Sequence, residues 1–152
     1  GMLDIARRKV AEAGLDGRVV LDAGDAERLS VSDSAVDVAT VAFGVRNFGD
    51  LDAGLRDIAR TLREGGRIVI LEFSTPRNPL ARAFYGFWNR RVLPRVGGMV
   101  SRDRKAYEYL PESIGEFPAP ERFLEMMSRA GFRNCKARSQ SFGIAHIYVG
   151  EK

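Results

Sequence analysis

The 152-residue chain carries one cysteine, one histidine and one tryptophan. Cys135 alone excludes an internal disulfide framework and a cysteine-based zinc site. His146 alone excludes a histidine-rich metal centre, so no metal is expected. No apolar run approaches the ~18–20 residues a membrane span needs. The nearest, Gly66–Phe73, is interrupted by Arg67 and Glu72. Arg7, Arg8 and Lys9 are followed by mixed sequence instead of an apolar core, so a secretory signal is not expected and a reducing cytoplasm is the default compartment. Internal repeats and low-complexity segments are also missing.

What is present is ordinary globular composition, 45% hydrophobic and 29% charged, which excludes wholly disordered or collagen-like chains. The net charge of +4 conceals an asymmetry. Between Arg77 and Lys105 lie eight basic residues and one acid, Asp103. Such a stretch suggests an anionic partner: a membrane surface, an acidic substrate or nucleic acid. No recognised nucleic-acid motif accompanies it, so nucleic acid is not the expected partner.

Periodicity predicts a helix over Met2–Ala13 with Gly14 as its stop, a short strand at Arg18–Leu21, and a polar loop over Glu27–Ser34. Val36–Phe43 (VDVATVAF) reads as a strand buried on both faces. Leu51–Leu62 reads as an amphipathic helix terminated by Glu64-Gly65-Gly66, with the glycine pair as its C-cap. Arg67–Phe73 (RIVILEF) reads as a second buried strand. Then come an aromatic-rich helix over Pro79–Val92, a linker over Pro94–Val100 and a helix over Arg102–Ile114. A helix over Pro120–Ala130 and two closing antiparallel strands, Phe132–Arg138 and Gly143–Val149, complete the chain. Strands alternating with helices predict an α/β sheet with helices on both faces.

Three segments carry candidate chemistry. Gly24-Asp25-Ala26 falls at a predicted strand end, where ligands bind in open α/β sheets. An acid there accepts a hydrogen bond from an exocyclic amine, or serves only as a turn residue. Ala42-Phe43-Gly44-Val45-Arg46-Asn47 ends the next strand. There Gly44 allows an unusual backbone angle or a close ligand approach, and Arg46 and Asn47 would face the cleft. The plainer alternative is a surface arginine and a capping asparagine. Glu72, a charge inside an apolar strand, needs a partner.

Taken together, AFGVRNF, LREGGRIVILEFSTP, LPRVGG, AYEYLPESI and MMSRAGF resemble the ubiquinone/menaquinone biosynthesis C-methyltransferases, from about Met2 to Gly150. The resemblance implies a Rossmann-like methyltransferase sheet lacking its first two βα units. A helical cap, 76–118, is inserted before the last helix and strand pair. It implies S-adenosylmethionine as methyl donor and a polyprenyl quinol, demethylmenaquinol or a ubiquinone precursor, as acceptor. Asp25 and Ala26 would meet the adenine, and Ala42, Phe43 and Gly44 would line the methionine side. Arg46, Asn47, Arg102, Tyr107 and Tyr109 would face the quinol. A quinol hydroxyl must lose its proton so that the neighbouring ring carbon becomes nucleophilic, and Arg46, or failing it Arg102, would stabilise the phenolate. His146 is either a proton acceptor or a structural residue of an apolar strand.

The basic, aromatic segment 77–105, with Phe84, Tyr85, Phe87 and Trp88, then suits peripheral contact with the inner face of a membrane, or else it is an ordinary capping helix. The family's glycine-rich turn and ribose-binding acid have no counterpart here. The sequence therefore leads us to expect an exposed edge at Val36–Phe43, resolved by truncation, by Arg18–Leu21 sliding across to pair with it, or by homo-oligomerisation. Weakened cofactor binding follows in each case. A non-catalytic binding or assembly remnant, and a methyltransferase with another small acceptor, are the alternatives.

Overall fold

The computed structural model describes residues 1–76, Gly86 and 113–152. Most of the predicted helices over Pro79–Val92 and Arg102–Ile114 and of the cap at 76–118, the linker between them, and Arg102, Tyr107 and Tyr109 lie outside the described residues.

Helix α1 (Met2–Glu12) buries none of its residues, and its predicted stop Gly14 has φ +65°. Strand β1 (Val36–Ala42) follows a loop, then a 3₁₀ turn (Val45–Asn47) and helix α2 (Leu51–Thr61). Strand β2 spans Leu62–Phe73, helix α3 Pro120–Arg129, β3 Arg133–Gln140 and β4 Ala145–Glu151. The sheet runs β1-β2-β4-β3. The β1–β2 pair is parallel, with Ala42 opposite Leu71, and the β2–β4 and β3–β4 pairs are antiparallel.

The register sorts side chains between faces, because neighbours directly opposite point to the same side. Ala39 and Val41 join Ile68, Ile70 and Glu72, then His146, Tyr148 and Gly150, then Ala137 and Ser139. Both α2 and α3 pack on this side. Leu55, Ile58 and Ala59 from one and Phe123, Met126 and Met127 from the other close a dry core over Ile68, Ile70 and Tyr148. Packing is tight enough that two glycines are required. A Cβ at Gly54 in α2 would stand 2.4 Å from the Phe48 ring. One at Gly150 would meet Met127 and Phe132 at 3.1 Å and Cys135 Sγ at 3.3 Å. Burial pushes the Cys135 thiol pKa up.

The other face carries Val38, Thr40, Val69, Leu71, Ile147 and Val149, none of which belongs to the core cluster.

Four expectations are corrected. Among the described residues the packed helices, α2 and α3, cover one face of the sheet and not both. Arg18–Leu21 forms no strand and does not slide over to β1: Val20 is 93% exposed, because no strand among the described residues offers it a ladder. β1 is not buried on both faces. It forms an edge of the sheet, and Val38 is 55% exposed. The Gly65-Gly66 pair does not cap α2. The helix ends at Thr61 with Leu62 already extended at ψ 143°. Gly65, at φ +76°, instead absorbs a bulge between Val36–Leu62 and Val38–Arg67. Positive φ at this point without a side-chain penalty is glycine's contribution. The two closing antiparallel strands and the Pro120 helix stand as expected.

Candidate functional site

β1 and β2 run in parallel and end side by side, where an open α/β sheet places its ligands. The chain leaves β1 through Phe43, whose N–H still donates to Leu71 O at 2.8 Å, continuing the ladder. Phe43 then takes φ +56°, a left-handed conformation that a bulky residue adopts at a cost of order 1–3 kcal/mol. The unusual angle expected of Gly44 therefore falls on Phe43, while Gly44 has φ −120° and caps the 3₁₀ turn. The turned Phe43 carbonyl accepts from Arg46 Nη1 at 2.6 Å. Its ring stacks on Phe73 at 4.4 Å.

Glu72 is fully buried and finds the partner it needs in Arg46. Arg46 Nη1 donates to Oε1 at 2.7 Å and the Arg46 backbone N–H to Oε2 at 3.2 Å, while the Phe73 N–H also reaches Oε1 at 2.9 Å. The Arg46 guanidinium lies 5.7 Å over the Phe73 ring. Its side chain is 10% exposed, and its buried Nε has no hydrogen-bond partner among the described residues. A guanidinium held by a carboxylate, a carbonyl and a ring face is fixed in position, with its buried Nε–H unspent among the described residues. It lines a cavity of about 210 Å³ together with Phe48, Glu116 and Phe117. Asn47 closes the 3₁₀ turn and does not cap α2: that role belongs to Asp50, which accepts from Ala53 N at 2.9 Å.

The loop bearing Asp25 is tied to the same end of the sheet. Glu27 accepts from Asp50 N at 2.7 Å. Further along, Arg60 of α2 donates to Asp57, Asp33, Val31 O and Leu29 O, and Asp57 also accepts from Leu29 N at 2.7 Å. The Arg60 hydrogen bond holds the Asp57 carboxyl below the usual carboxylate range. Asp25 is exposed, with Oδ1 accepting from Glu27 N at 3.0 Å in a tight turn. Ala26 is half-buried beside it.

Sequence reasoning missed one group. Ser74, just beyond β2, is 4% exposed and reaches both Gly143 O (2.8 Å) and His146 Nδ1 (2.7 Å). The signal lies in the register, since β4 places His146 opposite Glu72, two residues before Ser74.

The model of the ubiE/COQ5 methyltransferase family matches residues 1–152. A ubiquinone/menaquinone biosynthesis C-methyltransferase UbiE of Geobacter sulfurreducens is 46% identical over 152 residues, covering 100% of this chain and 59% of that protein. A demethylmenaquinone methyltransferase of Deinococcus radiodurans is also 46% identical, over 99% of this chain and 61% of its own. The chain thus spans about three-fifths of the length of the curated relatives it matches. Among solved structures, the [4+2]-cyclase SpnF superposes with TM-score 0.72 at 19% identity, over 99% of this chain and 62% of that one. A SAM-dependent methyltransferase from Aquifex aeolicus gives 0.61 at 15%, over 99% and 64%. At such identities these two share the fold alone.

Proposed function

The chain belongs to the ubiE/COQ5 methyltransferase family, and on that premise we propose that it carries the adenine-binding and acceptor-facing parts of an S-adenosylmethionine-dependent enzyme that methylates a ring carbon of a polyprenyl quinol. The observation that carries this reading is the constellation at the ends of β1 and β2. A strained Phe43 stacked on Phe73 presents its carbonyl to an Arg46 that buried Glu72 holds in place.

The residues present fit the adenine end of the cofactor. Asp25 Oδ1 is taken by Glu27 N, while Oδ2 and the Ala26 N–H have no hydrogen-bond partner among the described residues. A carboxylate oxygen beside a backbone N–H matches an exocyclic amine beside a ring nitrogen. Ala42, Phe43 and Gly44 supply the wall toward the methionine side. Bound S-adenosylmethionine supplies an electrophilic methyl group.

The chain's own residues position the acceptor. Arg46 offers Nε to the phenolate oxygen, and a donor held in advance in a water-poor site stabilises charge that develops there. Asn47 lies next to it. Arg102, Tyr107 and Tyr109 would approach from the cap. Peripheral membrane contact through 77–105, where a prenyl tail would be met, belongs to the same proposal. So do a cytoplasmic location and homo-oligomerisation through the β1 edge.

The test is amide NMR during titration of this chain with S-adenosylhomocysteine. Saturable shifts at Asp25, Ala26, Phe43 and Gly44 are expected. Asp25→Ala should weaken binding by about 1.5–3 kcal/mol, the worth of a hydrogen bond to a charged group. No perturbation with millimolar ligand would overturn the adenine assignment and favour a non-catalytic remnant.

A further inference from the structure

Three cavities adjoin along the edge of the sheet where β1 and β2 end. The one of about 210 Å³ bordered by Arg46 shares Phe117 and Pro118 with a second of about 330 Å³. The second shares Thr75 and Pro120 with a third, also of about 330 Å³, at the β3–β4 turn. Their order follows that of the strands. Arg46 stands after β1, Ser74 and Thr75 after β2, and Gly143 between β3 and β4. Three strand spacings of about 4.8 Å make the path about 14 Å long.

The chemistry changes along it. At the β1 end the buried Arg46 Nε has no hydrogen-bond partner among the described residues. Beyond that point the walls ask for little hydrogen bonding, which suits a hydrocarbon. Pro76, Pro118 and Pro120 have no N–H to satisfy. The buried Ser74 hydroxyl is already bonded to Gly143 O at 2.8 Å. Phe117 packs its ring on core residue Phe123 at 4.9 Å, which anchors the bank that leads into α3. In the third cavity Thr75, Glu121 and Ser139 are exposed to water, and Phe142 stands 92% exposed in a turn with φ +58°. A large apolar side chain kept in solvent beside a cavity is a ready contact for an apolar ligand.

One charged donor followed by an apolar path has the form of an amphiphile with a compact polar head. We propose that the three cavities act as one groove that takes the prenyl tail of the acceptor. The quinol ring sits at Arg46, the first isoprene units pass Pro118 and Pro76, and the tail leaves at Phe142. This deepens the reading proposed above and rests on it.

The experiment is an anaerobic amide NMR titration of this chain with 1,4-naphthohydroquinone and with its geranyl and farnesyl derivatives. The Arg46 and Asn47 amides report the head, and those of Thr75 and Gly143 report the tail. All three probes should shift the first pair, and only the tailed ones the second. The geranyl probe should bind at least about tenfold more tightly than the bare ring, as expected for partial burial of its methylene and methyl groups. Thr75→Trp fills an exposed position shared by the second and third cavities and should remove about tenfold of that gain. The bare ring, measured on the same variant, reads whether the head site is intact. Phe142→Ser should cost the tailed probes about two- to threefold. Equal affinity for bare and tailed probes overturns the proposal, and so does a tail gain that Thr75→Trp leaves in place. In both cases shifts at Arg46 and Asn47 leave the acceptor assignment standing. Probes that shift neither pair remove both.

Discussion

The two faces of the sheet are built from equally apolar strands and end in opposite conditions. On one, Ile68, Ile70 and Tyr148 are fully buried under α2 and α3. On the other, Val38 stands 55% exposed, and Leu71 and Val149 are half-buried with no place in the core cluster. Strand composition thus reports that a residue can face a core, while only a packed layer decides whether it does. The covered face also borders the candidate site. Glu72 and His146 project from it, within reach of Arg46 and Ser74.

The largest contrast is energetic. Phe123→Ala, in the covered core, should cost about 3–5 kcal/mol in urea unfolding, whereas Val38→Ala should stay within about 0.5 kcal/mol. Equal losses at both positions would mean that the second face is covered in solution. Next in size is Gly54→Ala, which drives a methyl group into Phe48 and should destabilise by about 1–3 kcal/mol, read from the same transition.

A third test uses Tyr148, whose hydroxyl is buried with no partner among the described residues. Burial, with Glu121 and Glu72 adding to it, raises its pKa from 10.0 to about 12. Between those values the unfolded chain loses the phenol proton and the folded chain keeps it, so stability falls as pH rises above 10. Tyr148→Phe should remove that part of the slope. At neutral pH it should be neutral or mildly stabilising, because a stranded hydroxyl disappears. The smallest effect on stability is expected from Val38→Lys on the open face. It should leave the unfolding midpoint in place while reducing self-association in sedimentation velocity, since charge on an edge strand opposes pairing.

Much of this was legible in the sequence. RIVILEF, preceded by Gly65-Gly66 and followed by Ser74-Thr75-Pro76, reads as a buried strand, and the family resemblance placed the order of the remaining elements. Asp25 and Arg46 were singled out by their position after predicted strands. The missed features depend on partners distant in the chain. Arg18–Leu21 has the composition of a strand and lacks a ladder. VDVATVAF has the composition of a strand buried on both faces, and only the family resemblance pointed to the edge position that β1 takes. Glu72 was seen to need a counter-charge, but its pairing with Arg46 across 26 positions follows from the β1–β2 register. Phe43 was expected on the cofactor wall, yet its positive φ is unreadable, because nothing in a phenylalanine announces a left-handed backbone. Ser74 and His146 meet only because β4 returns antiparallel to β2.

Gly150 leaves room for the Cys135 sulfur beneath Met127 and Phe132. As the chain carries a single thiol, that corner has a built-in clock. The Cys135 side chain is half-buried, so its thiolate attacks a small reagent directly and a bulky one more readily when α3 lifts from the sheet. A raised thiol pKa lowers the thiolate fraction by the same factor for every reagent at a given pH. Comparing two reagents of different size at one pH therefore cancels the chemistry and leaves the frequency of breathing.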